Sequence, residues 1–210
     1  MFTSRIFCFA SVAALSLGLS TVAGATTISV FTSSLPATLP ANTTTFDSTT
    51  TTTTPNFTFS GVSGIALGSS SGNYASPAGD STPYAYVSGG GLVVDTLSAP
   101  ASSVSLLWGS VDAYNSITLN TTGGSFTFDS GGTALPSSID TSGAYTYYVT
   151  FAALGGTITS VDFSSTSAAF EFDDVSNVPA TLTATPEPSS LMLLGTGFLG
   201  VLGVARRRLA

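Results

Sequence analysis

The sequence has no histidine and no lysine, and its four basic residues are all arginines: Arg5, Arg206, Arg207 and Arg208. Residues 26–185 therefore hold no cation at all, while they hold ten of the eleven acids, every one but Glu187. With no positive partner available, salt bridges within that stretch are excluded as a stabilising device. Nucleic acid is not expected as a partner, because phosphate binding depends on Lys and Arg. The single cysteine, Cys8, lies near the N-terminus, so the remainder can form no disulfide, thiolate nucleophile or Cys-based metal site. The same absences remove the serine triad, the Schiff-base lysine and the imidazole zinc site. Only carboxylate chemistry is left.

Low charge does not here mean disorder, which pairs high charge with low hydrophobicity. The chain is 43% hydrophobic and 10% aromatic, enough apolar area for a core. A body of about 160 residues suits one domain.

Along that body apolar and polar residues alternate with the two-residue period of strands. "TTISVF" (26–31), "FTFSGV" (57–62), "YAYVS" (84–88), "GLVVDTL" (91–97), "SVSLLWG" (103–109) and "SITLN" (116–120) come first. "SFTFD" (125–129), "YTYYVTFA" (145–152), "TITSVDF" (157–163) and "AAFEFDDV" (168–175) follow, with Gly- and Ser-rich turns between them. Ten short strands and no helical period before Pro186 predict an all-β fold, a single β-sandwich of jelly-roll type. One stretch departs from the pattern. Between Thr43 and Thr54, Thr and Ser fill ten of twelve positions, and a run so poor in apolar residues is expected to form an exposed loop or edge strand, or to carry O-linked sugar. This Thr-rich loop spans residues 42–55.

Two places could carry chemistry. In "FEFDD" the strand period puts Glu171 and Asp173 on one face, about 7 Å apart, with Phe170 and Phe172 on the other. A glycosidase needs two acids about 5–10 Å apart, so spacing permits catalysis. A solvated strand face is the plainer expectation, and a calcium cluster with Asp174 is the third, since hard oxygen ligands are all the chain offers. No catalytic residue and no cofactor is predicted, calcium being the one metal the ligand set suits. In "LLWGSVDAYNSITL" Trp108 either joins the core beside Leu106 and Leu107 or stacks on a sugar, with Asp112 and Asn115 supplying hydrogen bonds.

The two ends speak of export. Residues 1–25 read as a secretory signal peptide, with one cation at Arg5, an apolar stretch and small residues at Ala23 and Ala25 for signal peptidase. Near the other end, residues 189–205 form a run of 17 without a charge, about 25 Å as a helix and apolar on every face, the lower edge of a transmembrane span. Arg206, Arg207 and Arg208 follow at once, a membrane stop signal that holds this end in the cytoplasm and the body outside it.

Pro186-Glu187-Pro188, the apolar span and the basic cluster together resemble the PEP-CTERM sorting signal, covering residues 186–210. The resemblance implies an exosortase substrate in a Gram-negative bacterium that makes exopolysaccharide. The segments "LLWGSVDAYNSITL" and "FSSTSAAFEFDDVS" are also similar to a family of exosortase-dependent surface proteins, which brings no assigned ligand. The expectation is an exported, non-enzymatic cell-surface or extracellular-matrix structural protein. Its precursor sits in the inner membrane and is processed by signal peptidase and exosortase. The alternative is a carbohydrate-binding module for exopolysaccharide, with calcium as an aid.

Overall fold

The computed structural model describes residues 25–48, 56–129 and 135–181, together with residues 197 and 206. Eleven strands make up the domain: β1 (Thr27–Ser33), β2 (Thr43–Thr44), β3 (Phe57–Ser60), β4 (Ser63–Ala66), β5 (Tyr84–Val87), β6 (Leu92–Gly109), β7 (Asn115–Thr121), β8 (Gly124–Phe128), β9 (Tyr147–Leu154), β10 (Ile158–Ser165) and β11 (Phe170–Pro179). All join one antiparallel sheet. The all-β class expected of the body from the alternation is what its described residues adopt.

The sheet turns back on itself through β6. The two segments expected as separate strands, 91–97 and 103–109, are the two ends of this single 18-residue strand. Its first part, Leu92 to Asp95, pairs with β3 and β10. Its second part pairs with β9 from Ser103 and with β11 from Ala101. Pro100, which has no N–H to give a ladder, lies where the pairing changes hands, and its carbonyl accepts from Ala180 N at 2.9 Å. The segment between, Ser98 to Ser102, contains no glycine, and the backbone stays extended through the corner.

The two halves so produced face each other across aromatic rings. Phe163 of β10 stacks on Phe172 of β11 at 4.2 Å and meets Phe170 edge-on at 5.8 Å. Phe128 of β8 lies 5.1 Å from Phe151 of β9. Trp108 stacks on Phe170 at 4.7 Å and is fully buried. The Phe163 and Phe128 contacts join elements of different halves, as in a sandwich, while Trp108 and Phe170 lie on neighbouring strands of one half.

The Thr-rich segment contributes more than the sequence suggested. Thr43 and Thr44 pair with Ser176 and Val175 of β11. Phe46, the one aromatic residue of the run, is fully buried and sits edge-on to Phe57, Phe59 and Phe172. A single large side chain can anchor an otherwise polar segment, which is why average composition misled. Residues 49–55 of the run lie outside the described residues, as do most of the proposed signal peptide and the proposed span at residues 189–205. Among the described residues no helix is long and apolar enough to cross a membrane.

Phe46→Ala should lower the unfolding free energy by about 3–5 kcal/mol, the cost of emptying a buried Phe site. The urea midpoint of the full chain, followed by its β circular dichroism, measures it. A loss below about 1 kcal/mol would mean that the Thr-rich segment is not part of the core.

Candidate functional site

β11 is where the acids expected to carry chemistry lie, and its alternation is as the spacing predicted: Phe170 and Phe172 enter the core, and Glu171 and Asp173 share the opposite face. That face is not solvated. Glu171 and Asp173 are each 1% exposed and Asp174 is 9% exposed, because two segments distant in sequence close over them. Residues 67–83, between β4 and β5, cover Glu171, and the stretch leading to Phe46 covers Asp173.

Each cover is fastened by a carboxylate. Glu171 Oε1 accepts from the Ala75 backbone N–H at 2.7 Å. Asp173 Oδ1 accepts from the Phe46 N–H at 3.1 Å and from the Asp174 N–H at 2.7 Å. Asp174 has φ 51° and lies where β11 carries an irregularity, since Asp173 opposes Leu107 and Ser176 opposes Ser105. Two residues, Asp174 and Val175, face the single Leu106 there, the geometry of a β-bulge that turns Asp174 aside. Gly109, opposite Glu171, completes the closure: a Cβ there would come within 2.9 Å of Pro77, so only glycine lets the covering loop lie flat on the strand.

Two hollows flank this strip. One, of about 470 Å³, is walled by the loop from Ser69 to Ala75, the turn bearing Ser110, Asp112 and Tyr114, the Ser142–Gly143 turn, and the start of β11 with Glu171. Its walls are tied together. Val111 N bonds Tyr145 O at 3.2 Å, Gly143 N bonds Val111 O at 2.9 Å, and the Tyr114 hydroxyl donates to Ala168 O at 2.8 Å. The ring of Tyr74 rests 4.8 Å from that of Tyr86. The other hollow, about 560 Å³, is bordered by Asp47, Asp80, Asp173 and Asp174. Although these acids are near one another, no group of three or more among the described residues is placed to hold a metal ion. The calcium cluster is therefore not what the three acids of β11 form.

Burial governs the charge state of these groups. It pushes the Glu171 carboxyl up to about 7; the Ala75 N–H draws it back, and the charge of Asp112 adds to the rise. Burial alone pushes Asp95, on β6, up to about 7. Asp174 rises to about 6 through burial and then the charges of Asp47 and Asp80. Asp173 is raised too, by burial first, against the pull of its two N–H donors. Asp112 is raised by burial while the Tyr114 hydroxyl holds it lower.

The second sequence candidate divides. Trp108 is core, stacked on Phe170, and offers no face to a ligand. Asn115 is buried: its Nδ2 donates to Ser110 O at 3.2 Å and its Oδ1 accepts from Ser165 at 3.2 Å, which braces the turn. Asp112 alone lines the 470 Å³ hollow, where it meets Glu171 from the other candidate. Tyr74, Tyr114 and the Ser-rich wall were not singled out from the sequence. The available signal was the length of the polar segment between β4 and β5, since loops beyond about 12–15 residues are commonly functional. The sorting residues Pro186, Glu187, Pro188, Arg207 and Arg208 and the cleavage residue Ala23 lie outside the described residues. Ala25 and Arg206 are exposed.

These raised carboxyls fix the sign of the pH dependence. A group whose folded pKa exceeds its unfolded value of about 4 stabilises the fold fully below that value, and the contribution is lost as pH rises through the folded pKa. The melting temperature of the full chain should therefore fall by several degrees between pH 5 and pH 8.5, and Asp95→Asn should flatten the slope. A melting temperature that rises across that window would contradict the assignment.

No curated protein matches this chain. Among solved structures, the catalytic unit of a thermostable GH87 alpha-1,3-glucanase from Streptomyces thermodiastaticus strain HF3-3 aligns with a TM-score of 0.31 and 17% identity over 63% of this chain. The alignment spans 28% of that structure, and so low a likeness carries no argument. The family profile of the PEP-CTERM protein-sorting motif matches residues 184–208. That match takes in Pro186-Glu187-Pro188, the apolar run and the three arginines, so the chain carries a PEP-CTERM protein-sorting motif, which supports an exosortase-sorted, exported protein.

Proposed function

We propose that the protein is a non-enzymatic structural component of the cell surface or extracellular matrix, released to that location when an exosortase processes its C-terminal signal. The observation that carries this reading is adjacency: β11 ends at Pro179 and the sorting motif begins at residue 184. A folded domain followed so closely by a sorting signal suits a cargo whose body is itself what is delivered. The non-enzymatic part rests on the lack of His, Lys and Cys in residues 26–185, and on the use of the buried acids as acceptors for backbone N–H groups.

In this reading residues 1–25 direct export and are removed, residues 189–205 halt in the membrane, and the arginines stay in the cytoplasm. Pro186 and Pro188 disfavour helix in the residue before each, so the stretch ahead of the span stays extended and open to a protease at the membrane surface. A carbohydrate-binding role is favoured by one observation, the hydroxyl-lined hollow beside Glu171.

In an exosortase-bearing Gram-negative host, the intact mass of the released form should lack residues 1–25 and Arg206 to Arg208. Released material that retains the arginines would refute the processing. Joint replacement of Pro186, Glu187 and Pro188 by Ala should leave the chain membrane-tethered with unchanged β circular dichroism; loss of the β signal would show that body and tail are not separable.

A further inference from the structure

We propose that the 470 Å³ cleft beside Glu171 is a binding site for a non-anionic sugar residue of a glycan chain. The volume lies within the range of about 300–1,000 Å³ usual for small-molecule sites. Its depth holds an unmet acceptor. Glu171 is 1% exposed, its Oε1 is taken by the Ala75 N–H, and its Oε2 is buried without a hydrogen-bond partner. The Ser110 hydroxyl lies near enough to draw the carboxyl's pKa down, yet no bond to Oε2 is completed. A buried acceptor left open in this way is met by a donor from outside, and a sugar hydroxyl is such a donor.

The rest of the wall selects among ligands. Ser71, Ser110 and Ser142 offer hydroxyls, and Tyr74, backed by Tyr86 at 4.8 Å, offers aromatic surface for the C–H face of a ring. Anionic ligands are refused, because the only charged groups in the cleft are Asp112 and Glu171 and residues 26–185 contain no cation. A divalent metal finds no third carboxylate. What remains among glycans is a hydroxyl-rich, ring-shaped ligand without negative charge. The walls belong to four separate segments already tied to one another, so the cleft is shaped before any ligand arrives.

This inference rests on the export proposed above only for where the ligand is met; binding itself is tested on the purified full chain in detergent micelles. Maltohexaose, cellohexaose and laminarihexaose serve as neutral probes in titration calorimetry, with hexagalacturonate as the acidic probe. At least one neutral hexamer should bind with a Kd of about 1 mM or tighter, and hexagalacturonate should not match it. Ser71→Trp, on the exposed wall, should fill the cleft and weaken binding at least about tenfold without moving the melting temperature. Glu171→Gln should weaken it as well. Failure of all three neutral probes, equal binding of hexagalacturonate, or binding that survives Ser71→Trp would each overturn the proposal. A chain that is sorted but binds nothing defeats this inference alone, and a chain that binds but is not sorted defeats only the export reading.

Discussion

Burying a carboxylate without a cation leaves two routes to stability, hydrogen bonding to fixed donors or protonation, and this domain uses both on β11. Between residues 26 and 185 no Lys, Arg or His exists to neutralise an acid, so Glu171 and Asp173 take the N–H groups of Ala75 and Phe46. Those donors come from segments 96 and 127 residues away in sequence. Each carboxylate thereby closes a long loop onto the strand, and the closed loops in turn keep water from the carboxylates. The raised pKa values follow from that enclosure, not from any one neighbour.

The same strand carries the other half of the architecture. Phe170 and Phe172 on the inner face of β11 meet Trp108 and Phe163, which ties β11 to the second part of the bent strand β6 and to β10. Phe46 connects the two faces of the problem: its backbone N–H satisfies Asp173 while its ring packs on Phe172. Loss of the anchor ring would therefore also release a buried acid from its donor. A strand buried on both sides is what allows a small, cation-free domain to position Glu171 beside one hollow and Asp173 beside the other without leaving them in solvent.

The period of two was enough to read the class of fold and ten strand segments from the residues, and it placed Glu171 and Asp173 on one face. It could not show what covers that face, because the covering loops are polar, and their placement depends on contacts long in sequence. β4 has too little alternation in "SGIA" to announce itself, and β2 is two residues long. The fusion of two expected strands into β6 passed unseen because Pro100 reads as a break, although an extended corner tolerates it. Trp108 was legible as core or ligand platform, and only its stacking on Phe170 decided between them. The meeting of Asp112 with Glu171 in one cleft joins turns 59 residues apart, a distance over which pattern carries no information. By contrast, the sorting signal is local and tripartite, and it was readable in full from the residues it occupies.

The central claim is that backbone N–H groups, not cations, hold the buried acids of β11 and with them the loops that shape the cleft. Amide hydrogen exchange of the full chain, read residue by residue, tests it most directly. Protection at Ala75 and Phe46 comparable to that of the ladder amides of β6 and β11 is the predicted result. Exchange at those two positions as fast as in the exposed turn around Gly72 would contradict it.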